Sequence, residues 1–160
     1  MKIHTLDYSC ILDTSVNDVC QFHTDTRNLP RITPPWINVT IESIDEPFIE
    51  KSRVSLIIKR FGIPTRWVME IETLQCPYII TDKMISGPFS LFRHQRVFTP
   101  LSDSQTQMDE KITIKLPFGW LGNMFFPFVQ SDMDKMFAYR HQATQDYFLR
   151  NSQYVDGKGN

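Results

Sequence analysis

The sequence predicts an α+β domain in which a curved antiparallel sheet of seven strands wraps around one long C-terminal helix. Between Pro127 and Arg150 apolar residues recur every three or four positions, which is the period of one helix face. Between Trp36 and Leu116 the period changes to two, which is typical of half-buried strands. The order of the segments (one strand, two short helices, six strands, one long helix) allows the sheet to bury one face against the long helix.

The N-terminal part of the chain supplies the first strand and the short helices. Alternate apolar residues share one phase in residues 2–12, which predicts a strand. Ser15 followed by Asp18 is typical of a helix N-cap with an acidic first turn, and the helix is predicted to run to about Thr24. Residues 28–35 hold three prolines, so they can form only a turn or a very short helix.

Six further strands are predicted between turn-forming residues. They cover residues 36–43, 54–59, 67–72, 78–85, 90–99 and 105–116. Their short and fairly regular spacing predicts an antiparallel meander, because neighbouring antiparallel strands need only tight turns between them. The chain is therefore interpreted as one domain over residues 1–150, followed by a flexible polar tail over residues 151–160.

Bulk composition excludes several classes of protein. The net charge of -1, from 17 basic and 18 acidic residues, gives no electrostatic reason to expect nucleic acid or an anionic membrane as a partner. No apolar run is long enough for a membrane span, and the first ten residues lack the apolar core of a signal peptide. Three scattered cysteines (Cys10, Cys20 and Cys76) predict buried free thiols and a cytoplasmic location. The sequence does not indicate whether the protein is a monomer or an oligomer.

Three stretches carry a resemblance to a known family. They are SVNDVCQFHTDTRNLPRITPPW (15–36), ITDKMISGPFSLFRHQRVF (80–98), and LPFGWLGN (116–123) with FAYRHQ (137–142). In these stretches the chain resembles the START-like superfamily (SRPBCC, Bet v 1-like), in particular its bacterial ligand-binding and polyketide cyclase/dehydrase-like members. The resemblance implies the helix-grip fold and a cavity for a small hydrophobic molecule.

The chain departs from the family pattern at four positions. Phe92 stands where tryptophan is expected, and Arg96 stands where a second histidine is common. Glu110 and Ile114 stand where aspartate and tyrosine are common. These departures bear on a shared reaction rather than on a shared fold.

Strand phase predicts a cluster of polar side chains inside the domain. If Phe92 and Phe98 face the interior, His94 and Arg96 must share that face, because side chains alternate along a strand. The same argument applied to the neighbouring strands and to the helix stripe gives five converging polar residues: Asp82, His94, Arg96, Glu110 and Arg140. Unpaired charges are costly to bury, so these groups are expected to pair with one another or with a ligand.

Three interpretations of this cluster remain open at this point. The cluster is interpreted as a structural ion-pair network, as a polar patch that orients a ligand, or as a catalytic acid–base set. In the third interpretation His94 is the proton shuttle, because it is the only candidate residue whose unperturbed pKa is near neutral. The predicted ligand-binding residues are Asp82, Arg96, Glu110 and Arg140, with Trp67, Phe92 and Phe98 as apolar wall. No cofactor and no metal site are predicted, because the other histidines lack a second ligand at metal spacing.

The favoured hypothesis for function is the binding of a small hydrophobic or aromatic ligand between sheet and helix. The alternative is a cyclase, aromatase or dehydratase in which His94 shuttles a proton, which requires His94 to reach the pocket and to have an orienting carboxylate. A third possibility is a partner-binding subunit with a filled interior. The aromatic run from Phe118 to Phe128 is interpreted either as a lid over the pocket or as a well-packed turn.

Overall fold

The computed structural model describes residues 2–156, and the side chains of residues 2–152. Its elements, in chain order, are β1 (His4–Leu12), α1 (Val16–Thr24), a 3₁₀ helix (Thr26–Ile32), β2 (Asn38–Ile44), β3 (Arg53–Arg60), β4 (Ile63–Gln75), β5 (Ile79–Ser86), β6 (Leu91–Ser102), β7 (Gln105–Lys115), α2 (Trp120–Met124) and α3 (Phe126–Asp156). The predicted helix-grip fold is confirmed, and the short helix α2 was not predicted.

The seven strands form one antiparallel sheet in the order β1-β7-β6-β5-β4-β3-β2. Strands β2 to β7 follow one another as the predicted meander, and β1 pairs with β7 at the far edge. The connection from β1 to β2 therefore has to cross the sheet, and α1 with the 3₁₀ helix makes that crossing. The register places His94 of β6 opposite Asp82 of β5 on one side and Ile112 of β7 on the other.

Helix α3 packs along the β1 edge of the sheet. Its Phe137 stacks on Tyr8 with ring centroids 4.5 Å apart, and the Tyr8 hydroxyl donates a hydrogen bond of 2.8 Å to Asp134. The helix continues six residues beyond Arg150, so the predicted tail begins as helix, and residues 157–160 lie outside the described residues. Within residues 2–156, no helix combines the length and apolar character that crossing a membrane requires.

The inner face of the sheet divides into two halves. In the packed half, formed by β1, β7 and the neighbouring end of β6, apolar side chains meet those of α1 and α3 directly. Ile112 and Ile114 of β7, for example, pack against Met133 and Phe137 of α3. In the open half, formed by β2, β3, β4 and the adjoining parts of β5 and β6, inward side chains line a cavity instead.

The prediction of three free thiols is wrong for two of them. Cys20 of α1 and Cys76 in the turn between β4 and β5 form a disulfide, with Cα atoms 5.9 Å apart. Cys10 is the free cysteine, and it is half-buried. The bonded cysteines are 56 residues apart in sequence, so no local spacing pattern predicts that they form a pair. The fold brings them together because α1 packs beside β5.

Candidate functional site

A cavity of about 430 Å³ lies between the open half of the sheet and helix α3. Apolar side chains form most of its wall: Ile37, Val54, Leu56, Trp67, Met69, Ile71, Phe92 and Met133. Trp67 and Phe92, two of the predicted wall residues, line this cavity. Their rings meet edge to face, with centroids 5.3 Å apart. A volume of this size and an apolar wall are typical of sites for small organic molecules.

The predicted polar residues gather at one end of the cavity. Asp82, His94, Arg96 and Arg140 line it, and Asp82 and Arg96 form an ion pair across neighbouring strands. Strand phase predicted this meeting because Asp82 and Arg96 both point inward. Glu110 is 4% exposed and lies behind His94, so it does not line the cavity.

Glu110 accepts a hydrogen bond on each of its carboxylate oxygens. His94 Nε2 lies 2.6 Å from Oε2, and His141 Nε2 lies 2.7 Å from Oε1. Burial opposes ionisation of Glu110, but the hydrogen bonds from His141 and His94 hold the pKa of this carboxyl well below its usual range. Because an ionised carboxylate can only accept, both histidines carry their proton on Nε2.

This proton placement leaves the other nitrogen of His94 as a free acceptor when the ring is neutral. Among the side chains of residues 2–152, no hydrogen bond reaches His94 Nδ1, while the ring itself borders the cavity. The two conditions set for a proton shuttle, access to the pocket and an orienting carboxylate, are therefore both present in the geometry.

Arg140 projects from α3 into the cavity wall. Its guanidinium lies over the Phe137 ring, 5.5 Å from the centroid, and no carboxylate of residues 2–152 comes within ion-pair distance of it. Burial lowers the pKa of Arg140, while the charge of Glu110 acts in the opposite direction. The polar end of the cavity therefore contains a cation without a close counter-charge.

Sequence reasoning missed two histidines of the site. His141 follows Arg140 on α3, at a position outside the apolar stripe of the helix, yet it reaches Glu110. His23 of α1 lines the cavity, and its Nε2 is buried without a hydrogen-bond partner. Burial and the nearby charge of Arg96 lower the pKa of His23 to about 3. In the sequence, His23 shares the apolar face of α1 with Val19 and Cys20, and this position could have indicated that it points into the interior.

Phe98 faces inward as predicted but does not line the cavity. It is 1% exposed and packs with Leu12, Val19 and Met108 in the packed half. The inference from phase was sound for its direction and wrong for its surroundings, because α1 covers that end of β6. Among the described residues, no group of three His, Cys, Asp or Glu side chains is placed to hold a metal ion.

The aromatic run before α3 is not a well-packed turn. Phe118 is 82% exposed, and Trp120 and Phe125 are also exposed. Phe128 borders the cavity and contacts Phe61 of the β3–β4 turn, with ring centroids 5.7 Å apart. Of these aromatic side chains, Phe61 and Phe128 line the cavity, whereas Phe118, Trp120 and Phe125 are exposed and do not line it.

Comparison with known proteins adds a family and a set of similar folds. Residues 12–138 match the family described as polyketide cyclase/dehydrase and lipid transport, whereas no curated protein matches the sequence. A protein from Thermus thermophilus is 15% identical, with a TM-score of 0.75 over 93% of this chain and 99% of that one. An aromatase/cyclase from a Streptomyces species is 13% identical, with a TM-score of 0.73 over 94% and 96%.

A START superfamily protein from Mycobacterium smegmatis is 14% identical, with a TM-score of 0.71 over 92% of this chain and 98% of that one. At such low identities these similarities establish the fold only. The chemistry of the site has to be argued from the residues of this chain.

Proposed function

The chain belongs to the polyketide cyclase/dehydrase and lipid transport family, and from this premise we propose that it binds one small hydrophobic or aromatic molecule, lipid-like or polyketide-like, between sheet and α3. The cavity of about 430 Å³ with its apolar wall carries the proposal. Burying an apolar ligand there removes its surface from water, which is favourable by about 25 cal/mol per Å².

The two ends of the cavity have different roles in this proposal. Trp67 and Phe92 provide flat aromatic surface for the body of the ligand. Asp82, Arg96 and Arg140 orient its polar group at the other end. Glu110 acts through His94 and His141, which it holds in place, and Phe98 supports the packed half.

Fluorescence of N-phenylnaphthylamine, a neutral aromatic probe, tests the proposal. Leu56 points into the cavity and its neighbour Ile57 lies on the opposite face of β3, so the two positions form a matched pair. We expect Leu56→Trp to fill the cavity and weaken probe binding at least roughly 10-fold. Ile57→Trp is the control and keeps the wild-type affinity. Equal binding by wild type and both variants would place the probe elsewhere and contradict the proposal.

The arrangement around His94 favours a second candidate function, a cyclase, aromatase or dehydratase. His94 borders the cavity, Glu110 fixes its Nε2, and Nδ1 is free to take a proton from a carbon next to a carbonyl group. Arg140 would stabilise the enolate oxygen that forms. Benzoylacetone in D₂O tests this reaction: an enzyme exchanges its acidic C–H faster than buffer does, and His94→Ala loses that excess. If the protein does not accelerate exchange of this C–H beyond the rate in buffer, the enzymatic function is contradicted and the binding function stands alone.

A further inference from the structure

The charged groups at the polar end of the cavity are unequally compensated. Asp82 neutralises Arg96 by direct ion pairing. Glu110 is engaged on both oxygens by His94 and His141. Neither carboxylate is therefore available to Arg140 as a hydrogen-bonded partner.

Arg140 is a cation placed where an unpaired charge is costly. Its guanidinium lines the cavity, and no carboxylate among the side chains of residues 2–152 lies within 4.0 Å of it. The nearby charge of Arg96 has the same sign and opposes ionisation further. A guanidinium stays charged in proteins, so it requires an anion or water to satisfy its donors.

Buried nitrogen atoms of three other cavity-lining residues, Arg60, Arg96 and His23, lack hydrogen-bond partners among the described residues. Arg96 donates through Nη2 to Asp82, but its Nε is buried and unpaired. His23 Nε2, on the α1 side of the cavity, is also buried and unpaired. Unsatisfied buried polar atoms are rare in folded proteins and call for an explanation at each site.

We propose that the ligand of this cavity is an apolar molecule that carries one anionic oxygen group, such as a carboxylate, and that Arg140 pairs with that group. The inference rests on the proposed binding function. A carboxylate offers two oxygens with about four acceptor positions, which is enough for a forked bond from Arg140 and for a donor on Arg96 or His23.

Other ligand types fit this end of the cavity less well. A cationic ligand would be repelled by Arg140, whose charge no carboxylate offsets at ion-pair distance among the side chains of residues 2–152, whereas Asp82 already pairs with Arg96. A fully neutral hydrocarbon would remove water from Arg140 without giving it a partner, which costs free energy. The apolar body of an amphipathic anion would lie toward Trp67 and Phe92, away from the charged groups.

Two probes with the same aromatic skeleton test the proposal. Anilinonaphthalene sulfonate carries one anionic group, and N-phenylnaphthylamine lacks it. We expect the wild type to bind the sulfonate roughly 10-fold or more tightly than the neutral amine, as one charge-assisted hydrogen-bonded pair would give. Equal or weaker binding of the sulfonate by the wild type would overturn the inference without any variant.

Variants of Arg140 assign the preference to this residue. Arg140→Met should weaken sulfonate binding roughly 10- to 100-fold and change binding of the neutral amine less than about 3-fold. Arg140→Lys, which keeps the charge but not the fork, should retain part of the preference. Arg150→Met removes a positive charge from an exposed position on the same helix and should change neither affinity.

The outcomes separate this inference from the proposed function. A sulfonate preference that survives in Arg140→Met overturns the role of Arg140. Tight neutral binding that Leu56→Trp abolishes, with no sulfonate preference, keeps the binding function and overturns the anionic ligand. Binding of neither probe, or binding that Leu56→Trp leaves unchanged, contradicts the proposed function itself.

Discussion

The two halves of the sheet have similar inner faces and opposite surroundings. In the packed half, Ile112 of β7 is completely buried against side chains of α3. In the open half, Ile71 of β4 is 4% exposed, yet it faces the cavity. Both strands show the same alternation in sequence. Alternation therefore indicates which side chains point inward, but it does not indicate whether other atoms fill the space they point into.

The position of α3 produces this difference. The helix packs against β1 and the 3₁₀ helix, and the stacking of Phe137 on Tyr8 holds it at that edge. On the other side of the cavity, α3 reaches the open half near the β3–β4 turn, where Asp132 pairs with Arg60 and Phe128 contacts Phe61. Between these two lines of contact, the aromatic and apolar residues of β3 and β4 form the cavity wall.

Truncating one isoleucine in each half tests the comparison most strongly. Ile112→Ala should lower the free energy of unfolding by about 4 kcal/mol, because it creates a new hole in close-packed surroundings. Ile71→Ala should lower it by about 2 kcal/mol, because its side chain already lacks neighbours on the cavity side. Urea unfolding of both variants measures the two values.

Equal losses for the two isoleucine variants would mean that both halves are packed to the same density. A larger loss for Ile71→Ala would reverse the comparison. Loss of probe binding in Ile71→Ala alone would support it further, because only Ile71 borders the cavity.

His23 gives a smaller effect that depends on pH. Its pKa of about 3 in the folded protein lies below the value of about 6.5 for an unfolded chain, so the unfolded state binds the proton first. This stability is fully present above about pH 6.5 and is lost as the pH falls toward 3. Between pH 7 and pH 5, the wild type should lose about 2 kcal/mol more than His23→Leu.

Chemical unfolding at the two pH values measures that difference. Burial and the charges of Arg96 and Arg140 act in the same direction on His23, while Glu110 opposes them. Parallel losses in wild type and variant would show that the His23 ring is accessible to protons in the folded state. That result would contradict the burial of the His23 ring between α1 and the cavity.

Much of the fold follows from periodicity in the sequence. The change from period two to a helical period predicted the succession of strands and helices along the chain, and Ser15 accepts a hydrogen bond from the Asp18 amide as the N-cap pattern predicted. Strand phase also brought Asp82, His94 and Arg96 to one face. These features depend on neighbours along the chain or on one alternation rule, so local sequence is sufficient for them.

Other features depend on how separate elements approach one another. His141 reaches Glu110 because α3 packs beside β1, next to β7, so side chains at two adjacent helix positions can both meet the sheet. The Cys20–Cys76 disulfide joins residues of distant segments. It also removes one ground for the predicted cytoplasmic location, since disulfides persist in oxidising compartments. That location and the absence of nucleic-acid binding stay predictions.

Methionine methyl NMR tests the central claim, a ligand-binding cavity under the open half, most directly. Met69, Met133 and Met136 line the cavity, Met108 is buried in the packed half, and Met124 is exposed. On titration with N-phenylnaphthylamine, we predict ring-current shifts at the three cavity methyl groups and none at Met108 or Met124. Shifts confined to Met124, or no shift at any methionine, would contradict the account.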